Sequence, residues 1–285
     1  MLADTISGRQ RRKKVILLVS SVLALAYILG PILWAIVSSF QKEQALEHRP
    51  PYFFPTPEIF TLSHYYFIFT GIVPPDASTM IQGMYTMSGT LIYPGVVNSL
   101  IVAAFVTLVN VVVGFPTGHV LARYRFLGDH QVFLSLLATR LLPSISLVVP
   151  MYILLQQLQL LDTKSSLVGI YSAMTLPFTI WILRAYFQNI PVEFEEAARM
   201  DGCGYLRTLV KVVIPLARPG IIAAAIFAFM TSYGEFVFAT VLTHTLNSKT
   251  QTVVIAALTQ GMSASRGLIA ASAVICFLPP IILAI

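Results

Sequence analysis

Residues 15–40 read VILLVSSVLALAYILGPILWAIVSSF, an apolar run with no charge between Lys14 and Lys42. A helix rises about 1.5 Å per residue, so about 20 such residues cross the roughly 30 Å hydrocarbon core of a bilayer. The run is long enough to span alone. Its basic leader (Arg9, Arg11, Arg12, Lys13 and Lys14) could pass for the start of a secretory signal. The apolar stretch is longer than a signal core, however, and no small-x-small cleavage site closes it. It reads as an uncleaved first span.

The rest of the chain agrees. Of 285 residues, 56% are hydrophobic and 11% charged, with mean hydropathy +0.80. A soluble domain carries roughly 25% charge because its surface faces water, so soluble, disordered and fibrous classes are excluded. Two cysteines, Cys203 and Cys276, exclude a disulfide scaffold and a CxxC metal site. Five further apolar runs follow at about 96–122, 132–155, 167–187, 221–242 and 268–285, with Arg140 inside the third span and Glu235 inside the fifth. Solid runs of this kind favour helices over the alternating strands of a barrel. The expected fold class is an all-α polytopic membrane protein, a single domain over residues 1–285 with six spans. The last run has no charged flank after Ile285, which points to a further C-terminal tail.

With the N-terminus in the cytoplasm, twelve basic residues fall inside: the five in the leader with Arg123, Arg125, Arg184, Arg199, Arg207, Lys211 and Arg218. Five fall outside: Lys42, Arg49, Lys164, Lys249 and Arg266. This asymmetry follows the positive-inside rule and sets both termini inside. The net charge of +6 is thus explained by orientation, and no nucleic-acid partner is implied. The outer segment 41–91 combines Pro50, Pro51, Pro55, Pro57, Pro74 and Pro75 with aromatics such as Tyr52, Phe53, Phe54, Tyr65 and Tyr66, a composition suited to a short interfacial helix. No internal repeat or low-complexity tract is visible.

Residues 184–220 read RAYFQNIPVEFEEAARMDGCGYLRTLVKVVIPLARPG. Pro191 suits the first turn of a helix, and Glu193, Glu195 and Glu196 place negative charge on its positive end. Gly202 and Gly204 end it, with a positive φ expected at Gly202. Phe194, Ala197 and Ala198 share one face. A second amphipathic run carries Leu206, Leu209, Val210 and Val213, and Pro215 and Pro219 are expected to break it before the fifth span. A short helix with small alanines and an acidic edge fits either a membrane interface or a cleft in another protein.

The spacing Glu196-Ala197-Ala198, three residues, Gly202, nine residues, Val212-x-Ile214-Pro215 resembles the EAA signature of permease subunits of binding-protein-dependent ABC importers. The flanking Arg184-Ala185-Tyr186-Phe187 and Ile190-Pro191, the third-span Thr139-Arg140-Leu141-Leu142-Pro143 and the fifth-span Tyr233-Gly234-Glu235-Phe236 are similar to the carbohydrate branch of that family. Val212 and Ile214 replace Ile and Leu of the family pattern, and Tyr233-Gly234 departs from its W-N. The resemblance covers most of the chain from about residue 92.

It implies the type I importer permease fold and a non-catalytic transport subunit in the cell inner membrane. It further implies ATPase coupling through Glu195, Glu196, Ala197, Ala198, Arg199, Asp201, Gly202 and Pro215. The implied partners are a second permease subunit in a heterodimer, two copies of a cytoplasmic ATPase, an extracytoplasmic sugar-binding protein, and membrane lipid. No Gly-x4-Gly-Lys-Ser/Thr phosphate loop occurs here. No cofactor is expected in this chain, and ATP and Mg belong to the partner ATPase.

Arg140 and Glu235 are the charges well inside spans, and intramembrane ionisable groups default to a functional hypothesis. Arg140 reads as a snorkelling or ion-paired residue, or as a substrate or gate contact. Glu235 reads as lining the path, or as pairing with Arg140 or the partner permease. Together they also permit a rival reading, a proton-coupled secondary transporter. Candidate path residues are Asn98, Arg140, Tyr233, Glu235 and Phe236. His244, Asn247 and Ser248, in the polar outer loop 243–266, are candidates for binding-protein contact. Asn98, Thr107, Asn110 and Thr117 at helical spacing suit inter-helix hydrogen bonds, and Pro116, Pro143, Pro150 and Pro177 suit kinks. His119 and His130 are isolated, and no catalytic triad or metal-ligand cluster is visible.

Overall fold

The computed structural model describes residues 2–50, 52–73, 90–260 and 265–284. Pro51, Pro74, Pro75 and Ile285, named above, lie outside them, as do residues 261–264 of the outer loop. Helices dominate: α1 (Leu2–Ser39), α2 (Glu43–Glu47), α3 (Ser63–Thr70), α4 (Ile92–Arg123), α5 (Asp129–Ala138), α6 (Ser144–Gln157), α7 (Lys164–Gln188), α8 (Glu193–Met200), α9 (Tyr205–Thr208), α10 (Ile214–Tyr233), α11 (Val237–Leu242), α12 (Gln251–Thr259) and α13 (Arg266–Ala284). Among the described residues five helical stretches are long and apolar enough to cross a membrane, and the pair α5–α6 makes a sixth if its 94° bend is counted within one span.

The chain groups into two compact units. One comprises residues 1–90 and 258–278. Its α1 is exposed from Arg12 to Leu29, Tyr27 by 85%, as suits a helix surrounded by lipid or another apolar surface, and is buried at Ser38 and Ser39. The outer segment forms α2 and α3, so short helices do occur there. Phe40 stacks on Phe60 at 5.8 Å and meets Tyr65 at 5.3 Å. Glu43 is buried, and its carboxylate accepts from the Ser265 hydroxyl (2.7 Å) and the backbone amides of Arg266 (2.8 Å) and Gly267 (3.1 Å). The first turn of a helix leaves its amides without intrahelical partners, and Glu43 satisfies those of α13.

The other unit comprises residues 91–257 and 279–285. Its centre is α4, α7 and α10, joined through Phe115, Leu183, Phe187, Val213, Ala217 and Ala224. A second cluster includes Val106, Leu155, Leu167, Tyr171, Phe238 and Leu242. Of the polar residues on α4, Asn110 makes the expected inter-helix bond, accepting from the Thr179 hydroxyl at 3.0 Å. Thr107 and Thr117 instead donate to Ala103 and Val113 of their own helix, both at 2.7 Å.

Two spans differ from the sequence reading. The third was expected as one helix over 132–155, but it turns at Thr139–Pro143. Leu142 (φ −71°, ψ 126°) and Pro143 (φ −63°, ψ 127°) are both extended. Proline disfavours the helical region for its predecessor and offers no amide of its own, so Leu142-Pro143 is a suitable place for the elbow. The other mapped prolines, Pro116, Pro150 and Pro177, lie inside continuous helices.

The fifth span was expected over 221–242. The helix instead runs from Tyr205 to Tyr233. Neither Pro215 nor Pro219 breaks it: Pro219 lies inside α10, and ahead of Pro215 residues Leu209–Val213 form a π turn in which the Ile214 amide reaches back to Leu209. That wider turn comes just before Pro215 and accommodates a ring that would otherwise strike the carbonyl four residues earlier. The span ends at Gly234, and α11 restarts after Phe236.

Candidate functional site

The site is built on α8, an eight-residue helix ending in Met200. It begins at Glu193, after Pro191, with Val192 as its cap residue. Its end is closed by a Schellman pair: the Gly202 amide donates to Arg199 (3.0 Å) and the Cys203 amide to Ala198 (3.0 Å). Gly202 has the expected positive φ, 80°. Of the residues read as ATPase-coupling, Glu195 and Ala198 face inward. Glu196, Ala197, Arg199, Asp201 and Gly202 are exposed, and Pro215 sits in the first turn of α10. Phe194 (50%) and Met200 (88%) project outward. The expected common face of Phe194, Ala197 and Ala198 is therefore divided between surface and interior.

Glu195, 2% exposed, is the pivot of the site. Its Oε1 accepts from Arg123 Nε at 2.7 Å, and its Oε2 lies 3.2 Å from His119 Nε2 and 3.8 Å from Arg199. Arg123 also donates to the Ile190 carbonyl at 2.9 Å, just ahead of α8. The Tyr205 hydroxyl lies 3.4 Å from His119 Nδ1, and the Phe187 ring packs edge-on to His119 at 5.3 Å. This set fits an imidazole that donates through Nε2 and accepts at Nδ1. Removing one partner of a buried ion pair costs about 3–5 kcal/mol, since the other charge is left without compensation.

His119, read as isolated, and Arg123, assigned no role, are the functional residues that sequence reasoning missed. The available signal was their i, i+4 spacing at the end of an apolar run, opposite an acidic helix.

At the other end of α4, Asn98 Nδ2 donates to the carbonyls of Leu246 and Lys249, both at 2.9 Å. The Gln251 amide donates to Ser99 Oγ at 3.0 Å. Asp162 accepts from the amides of His244 (2.7 Å) and Thr245 (3.0 Å) and from the Ser248 hydroxyl. Residues 244–250 are thus tied down, and they give way to α12 at Gln251. Among the binding-protein candidates His244 and Asn247 are exposed, whereas Ser248 is buried against Asp162.

Burial opposes ionisation of Asp162, but the amides of His244 and Thr245 and the Ser248 hydroxyl outweigh it and hold the carboxyl well below its usual range. A depressed folded-state pKa contributes stability that is present above the unfolded value, about 3.9, and is lost as pH falls through the folded value. Asp162→Ala should cost about 1–3 kcal/mol, read as a lower melting midpoint of the detergent-solubilised protein. It should also flatten stability against pH below about 3.9. An unchanged acid limb would remove Asp162 from this role.

Of the candidate path residues, Asn98, Tyr233 and Glu235 each bond to the segment 249–252. Asn98 and Tyr233 are buried. Glu235 does not pair with Arg140: its two carboxylate oxygens accept from the Phe238 (3.0 Å) and Ala239 (3.2 Å) amides, capping α11. Arg140 donates to the Met174 carbonyl at 2.9 Å. It borders a cavity of about 530 Å³ with Ser144, Ser165, Leu147, Met151 and Phe238. Phe236 is exposed. Among the described residues no group of three or more His, Cys, Asp or Glu side chains is placed to hold a metal ion.

Apolar spans, a broken third span and a surface helix held from behind make up a polytopic helical membrane protein. One chain of a bacterial ABC transporter that imports alginate shares the fold, with a TM-score of 0.74 over 96% of this chain and 95% of that one at 21% identity. Residues 110–285 match the family described as binding-protein-dependent transport system inner membrane component, and the chain belongs to that family. It is 30% identical to the trehalose/maltose transport system permease MalG of Thermococcus litoralis over 96% of this chain and 91% of that one. It is 31% identical to the diacetylchitobiose uptake system permease NgcG of Streptomyces coelicolor over 92% and 78%. The protein is accordingly a multi-pass component of the cell inner membrane.

Proposed function

We propose that this chain is a permease subunit of an ATP-driven carbohydrate importer, paired with a second permease and served by two copies of a cytoplasmic ATPase and an extracytoplasmic sugar-binding protein. Both termini lie in the cytoplasm on this reading, ATP and Mg bind the ATPase, and this chain is non-catalytic. The observation that carries it is the two-sided character of α8. Its inner side is fixed by Glu195 and Ala198, while Phe194 and Met200 stand out from the bundle with Glu196 beside them. An exposed apolar pair of this kind suits a cleft in another protein better than water. The substrate class follows from relatives named for trehalose, maltose and diacetylchitobiose uptake. The exposed His244 and Asn247 are the proposed contacts for the binding protein, and Arg140, beside its cavity, is the proposed path residue.

The proton-coupled alternative is weaker, because Glu235 has a structural use in capping α11. Affinity purification of the tagged chain should recover the ATPase and the second permease. Phe194→Asp with Met200→Glu should abolish ATPase recovery while the permease pair persists. Proteoliposomes containing the complex should take up trehalose or maltose with ATP and no pH gradient. Uptake that ignores ATP and collapses with a protonophore would sink this reading.

A further inference from the structure

Helix α8 is joined covalently to α7 through residues 189–192 and to α10 through residues 201–204 and α9. It has no direct chain connection to α4, yet α4 grips it at two points. Arg123 holds the Ile190 carbonyl where the chain enters α8, and with His119 it holds Glu195 in the middle of that helix. The residues that grip lie on the inner side of α8, opposite Phe194 and Met200, so the grip and the outward face do not compete. A short helix hung between two connectors would otherwise move on its own when pushed. We infer that Glu195 is the positioning residue that locks α8 to the last turn of α4, so that the two move as one body.

The lock rests on the proposed docking role only for its purpose; its geometry is independent. Charge and hydrogen bonding supply the lock, because Glu195 is buried with Arg123 and His119 on its two oxygens. Arg123 alone reaches both Glu195 and Ile190, so it is the residue whose loss should free α8 most. A buried carboxylate held this way has one arrangement of lowest energy, and a displacement of α8 must carry the Arg123 end of α4 with it.

Electron-spin distance measurements on the full chain, in complex with its ATPase where that associates, test the lock. Cys203 and Cys276 are replaced by serine, and nitroxide labels are placed at Glu193→Cys on α8 and Val113→Cys on α4. The expected result is one narrow distance, the same in nucleotide-free and ADP-vanadate-trapped complexes. Arg123→Met should lose that single distance, broadening it or making it change between the two states, while the ATPase still co-purifies. Arg123→Lys keeps the charge on Glu195 and should restore the narrow distance. Glu195→Gln should repeat the Arg123→Met result. A wild-type distance in Arg123→Met and Glu195→Gln, or two distances in the wild type, overturns the lock. Failure of the docking role shows separately, as an ATPase that is absent or that tolerates Phe194→Asp with Met200→Glu. The nucleotide-free distances still decide the lock in that case.

Discussion

Gly202→Val is expected to lower ATP-driven uptake by about 30-fold or more while the protein still accumulates in the membrane. The residue sits at φ 80° with open space around it, so a side chain there meets no neighbour and the cost is conformational. A β-branched residue in the left-handed region costs on the order of 1–3 kcal/mol. Losing the Schellman bonds to Arg199 and Ala198 adds roughly 1 kcal/mol for each. Every 1.4 kcal/mol or so is tenfold in a population. The turn is local, so insertion should survive and only the placement of α8 should suffer. A graded series checks this account: Gly202→Asn should stay close to wild type, since asparagine tolerates the region, and Gly202→Ala should fall between Asn and Val. Normal uptake by Gly202→Val would remove the turn from the mechanism.

Gly220→Val should prevent accumulation of folded protein altogether. A Cβ added at Gly220 would lie 2.4 Å from Tyr186 Cγ, 2.7 Å from Cδ1 and 2.8 Å from Cβ. These atoms are the root of the ring, close to the α7 backbone, so a change of rotamer alone cannot clear them. Helix α10 would have to move away from α7, and both are central to the core around Leu183 and Ala217. Overpacking of this kind costs about 1–3 kcal/mol and more where backbone must shift. Monodisperse yield after detergent extraction reads the effect. Tyr186→Ala in the same chain should restore part of it, and a Gly220→Val protein of normal yield would contradict the contact.

Much of this was legible in the sequence for identifiable reasons. Span existence needs only apolar length, and the six runs were visible without any contact information. The left-handed turn was legible because Gly202 follows a short amphipathic helix, a local requirement of local residues. The breaks were less so. Pro143 was read as a kink, but nothing in the string distinguished a kink from a turn of 94°. Pro215 and Pro219 are not breaks: the π turn at Leu209–Val213 that accommodates Pro215 has no sequence mark, and Pro219 lies inside α10. The least legible feature was Glu195. It shares a helix with the equally acidic Glu193 and Glu196, and only the distant His119 and Arg123 select it for burial. The capping role of Glu235 is hidden for a similar reason: a carboxylate within an apolar run suggests a pair with Arg140, and the chain break that gives it two amides to cap is invisible until the fold is seen.

The elbow at Leu142-Pro143 bears on how the third span can behave during transport. A helix kinked at a lone proline keeps its hydrogen-bond ladder on either side, whereas here Leu142 and Pro143 are both extended and the ladder is interrupted outright. The two arms are therefore separate helices, α5 and α6, whose directions differ by 94°. Arg140 lies at that corner, in the turn Thr139–Leu141. Its guanidinium donates to the Met174 carbonyl of α7, so the corner is tied to a helix that belongs to neither arm.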